Sequence, residues 1–224
     1  MNNSLTAIIV AGGLSSRMGF DKIFAKIGDS TVIEYTINAF LQCDSVNDII
    51  VVINEKNVQR IKDLVPKINS EEKIRICTGG ESRRDSVANG LEHVGKESAY
   101  VAVHDGARPW IRPTQIEKVF EATLTYGAAV SARPITDTVK RCDPDGSIIE
   151  SISRKDLWAM ETPQIFRTEL LKRAYKQAII DNKKVTDEVS AVELIGGSVQ
   201  VVHDPFKNPK ITFPDDLKTQ EFTH

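Results

Sequence analysis

The chain has 224 residues, of which 41% are hydrophobic and 27% charged, and its formal net charge is -2. This composition is typical of a water-soluble globular protein with one sizeable core, and the charge balance gives no sign of nucleic-acid binding. The apolar stretch near the N-terminus is too short for a signal peptide or a membrane span, so we expect no membrane partner.

The cysteines and histidines indicate neither a disulfide framework nor a metal site. Cys43, Cys77 and Cys142 are odd in number and widely spaced, which is typical of reduced thiols in the cytoplasm. The four histidines have no metal-ligand spacing among them. We therefore expect a cytoplasmic protein without a metal held by cysteine or histidine.

Short β-branched runs alternate with helical patterns over the first part of the chain. A helix should begin at a capping box formed by Thr31 and Glu34. Alternation of this kind predicts an α/β fold with a mostly parallel sheet flanked by helices. The predicted strands are 5–10, 48–53, 73–77, 100–104 and 128–132, and the further predicted helices are 58–65, 84–94 and Pro113–Tyr126.

The alternation breaks after Arg133. Residues 134–162 contain the turn sequence DPDG at 143–146, and this predicts a β-hairpin arm that extends from the sheet. A hairpin cannot bury both of its faces alone, so we expect the arm to pack on something else, such as a partner subunit.

Helical patterns resume after the arm and complete a single domain over residues 1–224. Thr186 is the predicted N-cap of a helix at 187–195, and Gly196–Gly197 is its predicted stop. The other predicted elements are a helix at 168–182, short strands at 199–203 and 210–212, and a last helix that begins at Pro214.

A small-residue loop, AGGLSSRMGFDK, follows the first predicted strand directly. Ala11, Gly12 and Gly13 let the backbone approach a ligand closely, and consecutive N–H groups of such a loop can cradle phosphate oxygens. Arg17 and Lys22 add the fixed positive charge that a transferring phosphoryl group requires. Taken alone, such a loop is more often a tight strand-to-helix turn that carries two solvated basic residues than a phosphate-binding loop.

The loop matches neither of two common nucleotide-binding motifs. GxxxxGK[ST] is absent, and GxGxxG is absent because the glycines stand at 12, 13 and 19. Glu55 lies about twice the usual ~20 residues beyond the loop for a ribose-binding acid. A P-loop protein is therefore excluded, and a nicotinamide-dependent dehydrogenase is disfavoured.

Two later motifs carry further polar groups. In HDGARP (104–109), Asp105 could hold Mg²⁺ or accept a hydrogen bond from a substrate hydroxyl, and Arg108 could orient it. The alternative is an Asp–Arg pair that only stabilises the loop. In GGESRRDS (79–86), Ser86 could bind a base or ribose, or cap a helix.

Four more segments complete the pattern: TDTVKR (136–141), Arg154 with LWAMETPQ (157–164), TDEVSAVELIG (186–196) and NPKITFPDDL (208–217). Singly, each has an ordinary structural explanation. Jointly and in this order, the loop and these segments resemble the 2-C-methyl-D-erythritol 4-phosphate cytidylyltransferase family over about residues 5 to 217.

The resemblance implies a Rossmann-like α/β domain with a β-arm exchanged between the subunits of a homodimer. It implies transfer of CMP from CTP to a polyol phosphate, 2-C-methyl-D-erythritol 4-phosphate, with release of pyrophosphate. The expected cofactor is Mg²⁺, and no organic cofactor is implied.

The resemblance also implies residue roles. Arg17 and Lys22 match the family's transition-state-stabilising residues, and Arg154 and Lys210 match the pair that positions the acceptor phosphate. Asp105 is the expected protein ligand of Mg²⁺, which is held mostly by CTP phosphates. The remaining matches are nucleotide-binding positions, Ala11, Gly12, Gly13, Ser15, Glu81 and Ser86, and acceptor-binding positions, Asp105, Arg108, Thr138 and Thr162.

Three other functions stay open at the level of sequence. A ribitol-5-phosphate cytidylyltransferase shares most of the fold and the loop. A molybdopterin nucleotidyltransferase is supported by the loop alone. A nucleotide-binding regulatory protein without turnover belongs to a different class, and it would release no pyrophosphate.

Overall fold

A computed structural model describes residues 3–13, 19–68 and 71–218 of the chain. Its strands are β1 (Leu5–Val10), β2 (Lys26–Ile27), β3 (Ser30–Thr31), β4 (Val46–Ile53), β5 (Ile74–Thr78), β6 (Tyr100–Asp105), β7 (Ala128–Pro134), β8 (Val139–Cys142), β9 (Ile148–Ile152), β10 (Trp158–Arg167) and β11 (Gln200–His203). Its α-helices are α1 (Val32–Leu41), α2 (Val58–Leu64), α3 (Arg83–Glu92), α4 (Pro113–Tyr126), α5 (Thr168–Ile180) and α6 (Glu188–Leu194).

The centre of the fold is a seven-stranded sheet in the order β11-β7-β10-β6-β1-β4-β5. Strands β6, β1, β4 and β5 are parallel to one another, and β11 is parallel to β7. Strand β10 runs antiparallel to both of its neighbours, β6 and β7. The predicted α/β fold with a mostly parallel, helix-flanked sheet is therefore confirmed.

Side chains of the central strands alternate between two cores, as the period of two of a β-strand requires. On β1, Ala7 and Ile9 belong to a core that includes residues of α1, α2 and α4, whereas Ile8 belongs to a core with α3, α5 and α6. All three side chains are fully buried. Because both faces are covered by helices, β1 and β4 are mostly apolar.

The predicted helix starts are mostly confirmed. Thr31 and Glu34 form the capping box of α1 in both directions, and α4 has the predicted bounds, with Gly127 in the left-handed conformation after its last residue. Thr186 is not the N-cap of α6, so that prediction is wrong by one residue. Asp187 takes the position instead, because its carboxylate accepts a hydrogen bond from the Ser190 N–H at 2.9 Å.

The arm is a two-stranded hairpin of β8 and β9 around the predicted DPDG turn, where the Gly146 N–H donates to the Asp143 carbonyl at 3.1 Å. The predicted arm bounds, 134–162, are too wide. Pro134 pairs with Trp158 in the main sheet, and the rest of β10 continues inward between β6 and β7.

The predicted strand at 210–212 is wrong. The Ile211 N–H donates to the Ala107 carbonyl at 2.8 Å, and the buried Ile211 side chain packs in a small core with Trp110. One backbone hydrogen bond is too few for the ladder of a β-strand, so residues 210–212 are held in place mainly by the packing of Ile211. The predicted last helix is a 3₁₀ helix, Pro214–Lys218. Within the described ranges, none of the helices is both long and apolar enough to cross a bilayer.

Candidate active site

Backbone hydrogen bonds join three loops at the carboxyl edge of the parallel strands. The Ala11 N–H donates to the Val52 carbonyl at 2.7 Å, the Gly79 N–H donates to the Ile53 carbonyl at 2.8 Å, and the Gly106 N–H donates to the Val10 carbonyl at 2.9 Å. Ligands of open α/β sheets bind at this edge. The loops that follow β1, β5 and β6 therefore form a fixed floor for a site.

A cleft of about 330 Å³ lies on this floor, and we call it the glycine-loop cleft. It brings together many of the predicted site residues, namely Ala11, Gly12, Gly13, Lys22, Glu81, Ser86, Asp105 and Lys210. The predictions for Ser15 and Arg17 lie outside the described residues.

Gly12 and Lys22 give the cleft a polyanion-binding character. A Cβ added to Gly12 would meet no described atom closer than 3.6 Å, so packing against the described residues does not require a glycine here. Close approach of a ligand to the backbone is the remaining reason for a glycine. The Lys22 ammonium donates to the Ile211 carbonyl at 2.8 Å, which fixes a positive charge at the cleft wall.

Ser86 shapes the opposite wall. It is 5% exposed, and its hydroxyl accepts from the Gly80 N–H at 3.1 Å and donates to the Ser82 carbonyl at 2.9 Å. Ser82, not Ser86, is the N-cap of α3. A Cβ at Gly80 would lie 2.5 Å from the Asp85 Cβ, so this turn needs glycine to pack against the helix.

Asp105 is the centre of an ion-pair cluster. Lys210 Nζ and Arg108 Nε lie 2.9 and 3.4 Å from its Oδ2, and Arg83 Nη2 lies 3.6 Å from its Oδ1. Burial alone would raise the pKa of the Asp105 carboxyl, but Lys210, Arg83 and Arg108 outweigh it and hold that pKa well below its usual range. Asp105 is therefore ionised at neutral pH.

His104 and Thr162 hold Asp105 from behind. His104 Nε2 lies 3.2 Å from the Arg108 carbonyl oxygen, which can only accept, so Nε2 carries the hydrogen. Burial lowers the pKa of the imidazole to about 3, so His104 is neutral. Its Nδ1 then accepts from the Thr162 hydroxyl at 3.0 Å, and that hydroxyl accepts from the Asp105 N–H at 3.1 Å. Thr162 thus lies behind the cleft and fixes the Asp105 backbone.

A second cavity of about 560 Å³ adjoins the cleft, and we call it the outer cavity. Lys210 lines both cavities, whereas Asp105 lines only the cleft. The charged side chains of the outer cavity are one carboxylate and four cations: Glu161, Arg108, Arg133, Lys207 and Lys210. This excess of positive charge suits a phosphorylated ligand.

Thr138 and Arg154 are predicted site residues that the described part of the chain does not bring into either cavity. Both are exposed and belong to the arm region. The Arg154 guanidinium donates to the carbonyl of Thr136, which lines the outer cavity. Arg154 is thus near the outer cavity without lining it.

Sequence reasoning missed Arg83, which lines the cleft beside Asp105. The only signal was the pair of adjacent arginines in GGESRRDS, and the sequence alone does not tell which of the two faces the cleft. It also missed the role of Asn208, whose side-chain amide donates to the Thr162 carbonyl at 2.8 Å and whose carbonyl accepts from Arg108 at 2.7 Å.

The cleft fits a hard divalent cation that arrives with a polyphosphate. The described residues hold no cluster of three or more His, Cys, Asp or Glu side chains that could bind a metal alone. Asp105 and Glu81 supply carboxylate oxygens to the cleft, and one or two carboxylates with substrate phosphates are the usual ligands of Mg²⁺. Asp105 would give up part of its contact with its cationic neighbours to bind such an ion.

Comparison with known proteins identifies the family. The model of the 2-C-methyl-D-erythritol 4-phosphate cytidylyltransferase family matches residues 5–223. The chain belongs to this family. A cytidylyltransferase of that name from Dehalococcoides mccartyi strain 195 is 38% identical over 222 residues, which cover 99% of this chain and 96% of that one.

Solved structures of the cytidylyltransferase family agree with this assignment. The 4-diphosphocytidyl-2C-methyl-D-erythritol synthase of Anaerococcus prevotii superposes with a TM-score of 0.85 at 29% identity, covering 97% of this chain and 96% of that chain. The Francisella tularensis 2-C-methyl-D-erythritol 4-phosphate cytidylyltransferase gives a TM-score of 0.81 at 30% identity, covering 96% and 97%. The enzyme assignment made from the motifs is confirmed, and the ribitol, molybdopterin and regulatory alternatives are not favoured.

Proposed function

We propose that this chain transfers CMP from CTP to 2-C-methyl-D-erythritol 4-phosphate and releases pyrophosphate. Family membership supports the activity and both substrates. The observation that carries the proposal for this chain is the position of Lys210. It lines both the glycine-loop cleft, which suits a nucleotide, and the outer cavity, which suits a phosphorylated acceptor. Two anionic substrates would therefore meet at one lysine.

The reaction needs no base. The acceptor phosphate is already ionised at neutral pH, and one of its oxygens attacks the α-phosphorus of CTP while the bond from that phosphorus to the β-bridging oxygen breaks. Pyrophosphate leaves with that electron pair. The obstacle is repulsion between two polyanions, so catalysis consists of positioning and charge neutralisation.

Different cationic side chains neutralise the charge on the two substrates. We assign Lys22 and Arg17 to the charge that develops around the α-phosphorus and on the leaving group, and Lys210 and Arg154 to the attacking phosphate. Mg²⁺ would be held by triphosphate oxygens and Asp105, and it would neutralise charge on the leaving pyrophosphate. Arg108 and the neutral His104 keep Asp105 in place.

We also propose that the enzyme is a homodimer joined through the arm. Ile148 and Ile149 on β9 are 66% and 61% exposed, and a lone two-stranded hairpin is at best marginally stable in water. Thr138 and Arg154 flank the two strands of this arm, and they line neither cavity of the described chain. An exchanged arm would bring them to the outer cavity of the partner subunit.

A cytoplasmic location completes the proposal, and it is supported by three free cysteines, Cys43, Cys77 and Cys142.

A substrate panel tests the proposed function. CTP, ATP, GTP and UTP are each mixed with methylerythritol phosphate or ribitol 5-phosphate in the presence of Mg²⁺, and pyrophosphate release is recorded. We expect the fastest release with CTP and methylerythritol phosphate. Faster pyrophosphate release with ribitol 5-phosphate would mean that ribitol 5-phosphate, not methylerythritol phosphate, is the acceptor. The absence of pyrophosphate release from every pair would overturn the proposal.

A further inference from the structure

We propose that Arg83 is a positioning residue: from the nucleotide side of the site it orients Asp105, and it thereby keeps cations available to the acceptor phosphate. We further propose that the buried Glu188 carboxylate fixes the orientation of Arg83. The inference rests on the proposed function, because it concerns the use of CTP and of the acceptor phosphate. Of the two cavities, Arg83 lines only the glycine-loop cleft, yet we expect its loss to lower chiefly the kcat/KM for the acceptor.

Glu188, which does not line the cleft, holds the Arg83 guanidinium. Arg83 Nη1 and Nη2 donate to Glu188 Oε1 and Oε2 at 2.5 and 3.1 Å, a bidentate pair with both ends of the guanidinium engaged. Glu188 is fully buried, and Oε1 also accepts from the Tyr175 hydroxyl at 2.9 Å. A planar guanidinium held at two points has a fixed plane, so Arg83 meets the cleft in one orientation.

The backbone that carries Glu188 is fixed in turn. Its N–H and that of Val189 donate to Gln164 Oε1 at 3.1 Å each, and Gln164 Nε2 donates to Asp187 Oδ2 at 3.1 Å. Gln164 is 1% exposed and belongs to β10, two residues after Thr162. The support of Arg83 therefore reaches back to the same strand that holds Asp105.

One of the two clamped nitrogens of Arg83, Nη2, also faces Asp105. Arg83 Nη2 lies 3.6 Å from Oδ1, while Lys210 and Arg108 contact Oδ2. The two carboxylate oxygens thus have different partners: Oδ1 lies near Arg83 of the cleft, and Oδ2 contacts Arg108 and Lys210, which both line the outer cavity. Without Arg83, the carboxylate is free to turn fully onto Lys210 and Arg108. Those two cations would then be less available to the acceptor phosphate.

The experiment removes the clamp without leaving a buried charge. Arg83→Gln combined with Glu188→Gln replaces an ion pair by two neutral amides, whereas Arg83→Gln alone would strand the Glu188 carboxylate. We expect kcat/KM for methylerythritol phosphate to fall about tenfold, with the KM for CTP changed less than about threefold. Thermal unfolding of each variant shows whether the fold is kept.

A double-mutant cycle with Asp105→Asn tells whether Arg83 acts on the acceptor through Asp105 or by contacting a substrate directly. In the Asp105→Asn background, the Arg83→Gln/Glu188→Gln pair should cause no further fall in kcat/KM for the acceptor. A tenfold fall that persists in this background would overturn the proposal. So would an effect confined to the KM for CTP, or wild-type kinetics in the doubly substituted variant.

Arg84 is the matched control. It is the next residue on α3, pairs with Asp85 at 3.0 Å and donates to the Lys183 carbonyl at 3.2 Å, and it lines neither cavity of the described chain. Arg84→Gln should keep wild-type kinetics. Failure of this inference can be told from failure of the proposed function. If the wild-type protein makes no product, the proposed function is overturned. If the Arg83→Gln/Glu188→Gln variant has normal kinetics, only this inference is overturned.

Discussion

Lys210 Nζ lies 2.9 Å from Asp105 Oδ2 at the boundary between the glycine-loop cleft and the outer cavity. The Asp105 side chain is 11% exposed and the Lys210 side chain 38%, so the lysine is the partner that has room to move toward a ligand. An acceptor phosphate would compete with Asp105 for Lys210. This pair therefore links the binding of one substrate to the electrostatics of the other.

Lys22→Ala should lower kcat by about 10²-fold or more while KM changes little, as for the loss of one donor that acts mainly in the transition state. Steady-state kinetics with CTP and methylerythritol phosphate measure both constants. Lys26→Ala is the control, since Lys26 is an exposed lysine whose ammonium donates to the Asp29 carbonyl. A near-normal kcat for Lys22→Ala would contradict the role of Lys22.

Gly12→Ala should raise the KM for CTP about tenfold or more without destabilising the fold. The added Cβ meets no described atom closer than 3.6 Å, but it occupies the surface that a phosphate would approach. Gly80→Ala should instead lower the free energy of unfolding by about 1–3 kcal/mol, because its Cβ would lie 2.5 Å from the Asp85 Cβ. Urea unfolding and CTP titration distinguish the two effects, and equal loss of stability in both variants would argue against a ligand-facing Gly12.

Arg154→Ala should raise the KM for methylerythritol phosphate about tenfold to hundredfold, the cost of one charge-assisted contact, and spare CTP. Lys155→Ala, at the next exposed position, should stay close to wild type. A loss of CTP binding as large as the loss of acceptor binding would refute the assignment.

Subunit mixing tests whether Arg154 acts across the dimer. If the arm is exchanged, a heterodimer of Lys22→Ala and Arg154→Ala chains has one intact site, and a randomised mixture should recover about a quarter of wild-type activity. Activity after denaturation and joint refolding is the readout. No recovery in a mixture shown to contain heterodimers would mean that Arg154 serves its own subunit.

His104 should make stability depend on pH. Burial lowers its pKa from the usual 6.5 to about 3, so between these values the unfolded chain binds a proton that the folded chain does not. Stability should therefore fall as pH drops through this window, with a contribution of about 1.4 kcal/mol per pH unit. His104→Gln should lose this contribution. Urea unfolding of both proteins at about pH 7, 6 and 5 provides the comparison, and parallel curves would contradict it.

Local sequence signals determined most of the helices and central strands. The Thr31–Glu34 capping box and the proline at the start of α4 act through neighbouring backbone groups, so the sequence is enough to find them. β1 has its predicted bounds because all of its residues except Thr6 are apolar, and it is buried on both faces.

Strand β10 could not be found in this way. Its buried residues include Glu161, Thr162 and Gln164, whose polar groups are satisfied by partners far away in sequence. The turn at 143–146 therefore led to a predicted arm over 134–162, whereas the last part of that range belongs to the antiparallel strand β10 of the main sheet. The error at 210–212 has the same origin, since Ile211 is held by tertiary packing.

The sequence predicted which residues belong to the candidate site better than it predicted how they contact one another. Sequence motifs selected Asp105, Arg108 and Lys210, which the structure brings together. They did not indicate Arg83 or its partner Glu188, because which of two adjacent arginines faces a cleft depends on how α3 packs.

The most direct test of the central claim follows the oxygen atoms of the acceptor. Methylerythritol phosphate labelled with ¹⁸O at its three non-ester phosphate oxygens is converted with CTP and Mg²⁺, and the products are analysed by mass spectrometry. Attack by the acceptor phosphate on the α-phosphorus predicts that CDP-methylerythritol retains all three labels and that pyrophosphate carries none. Label in pyrophosphate, or CMP formed in place of the labelled product, would contradict the account.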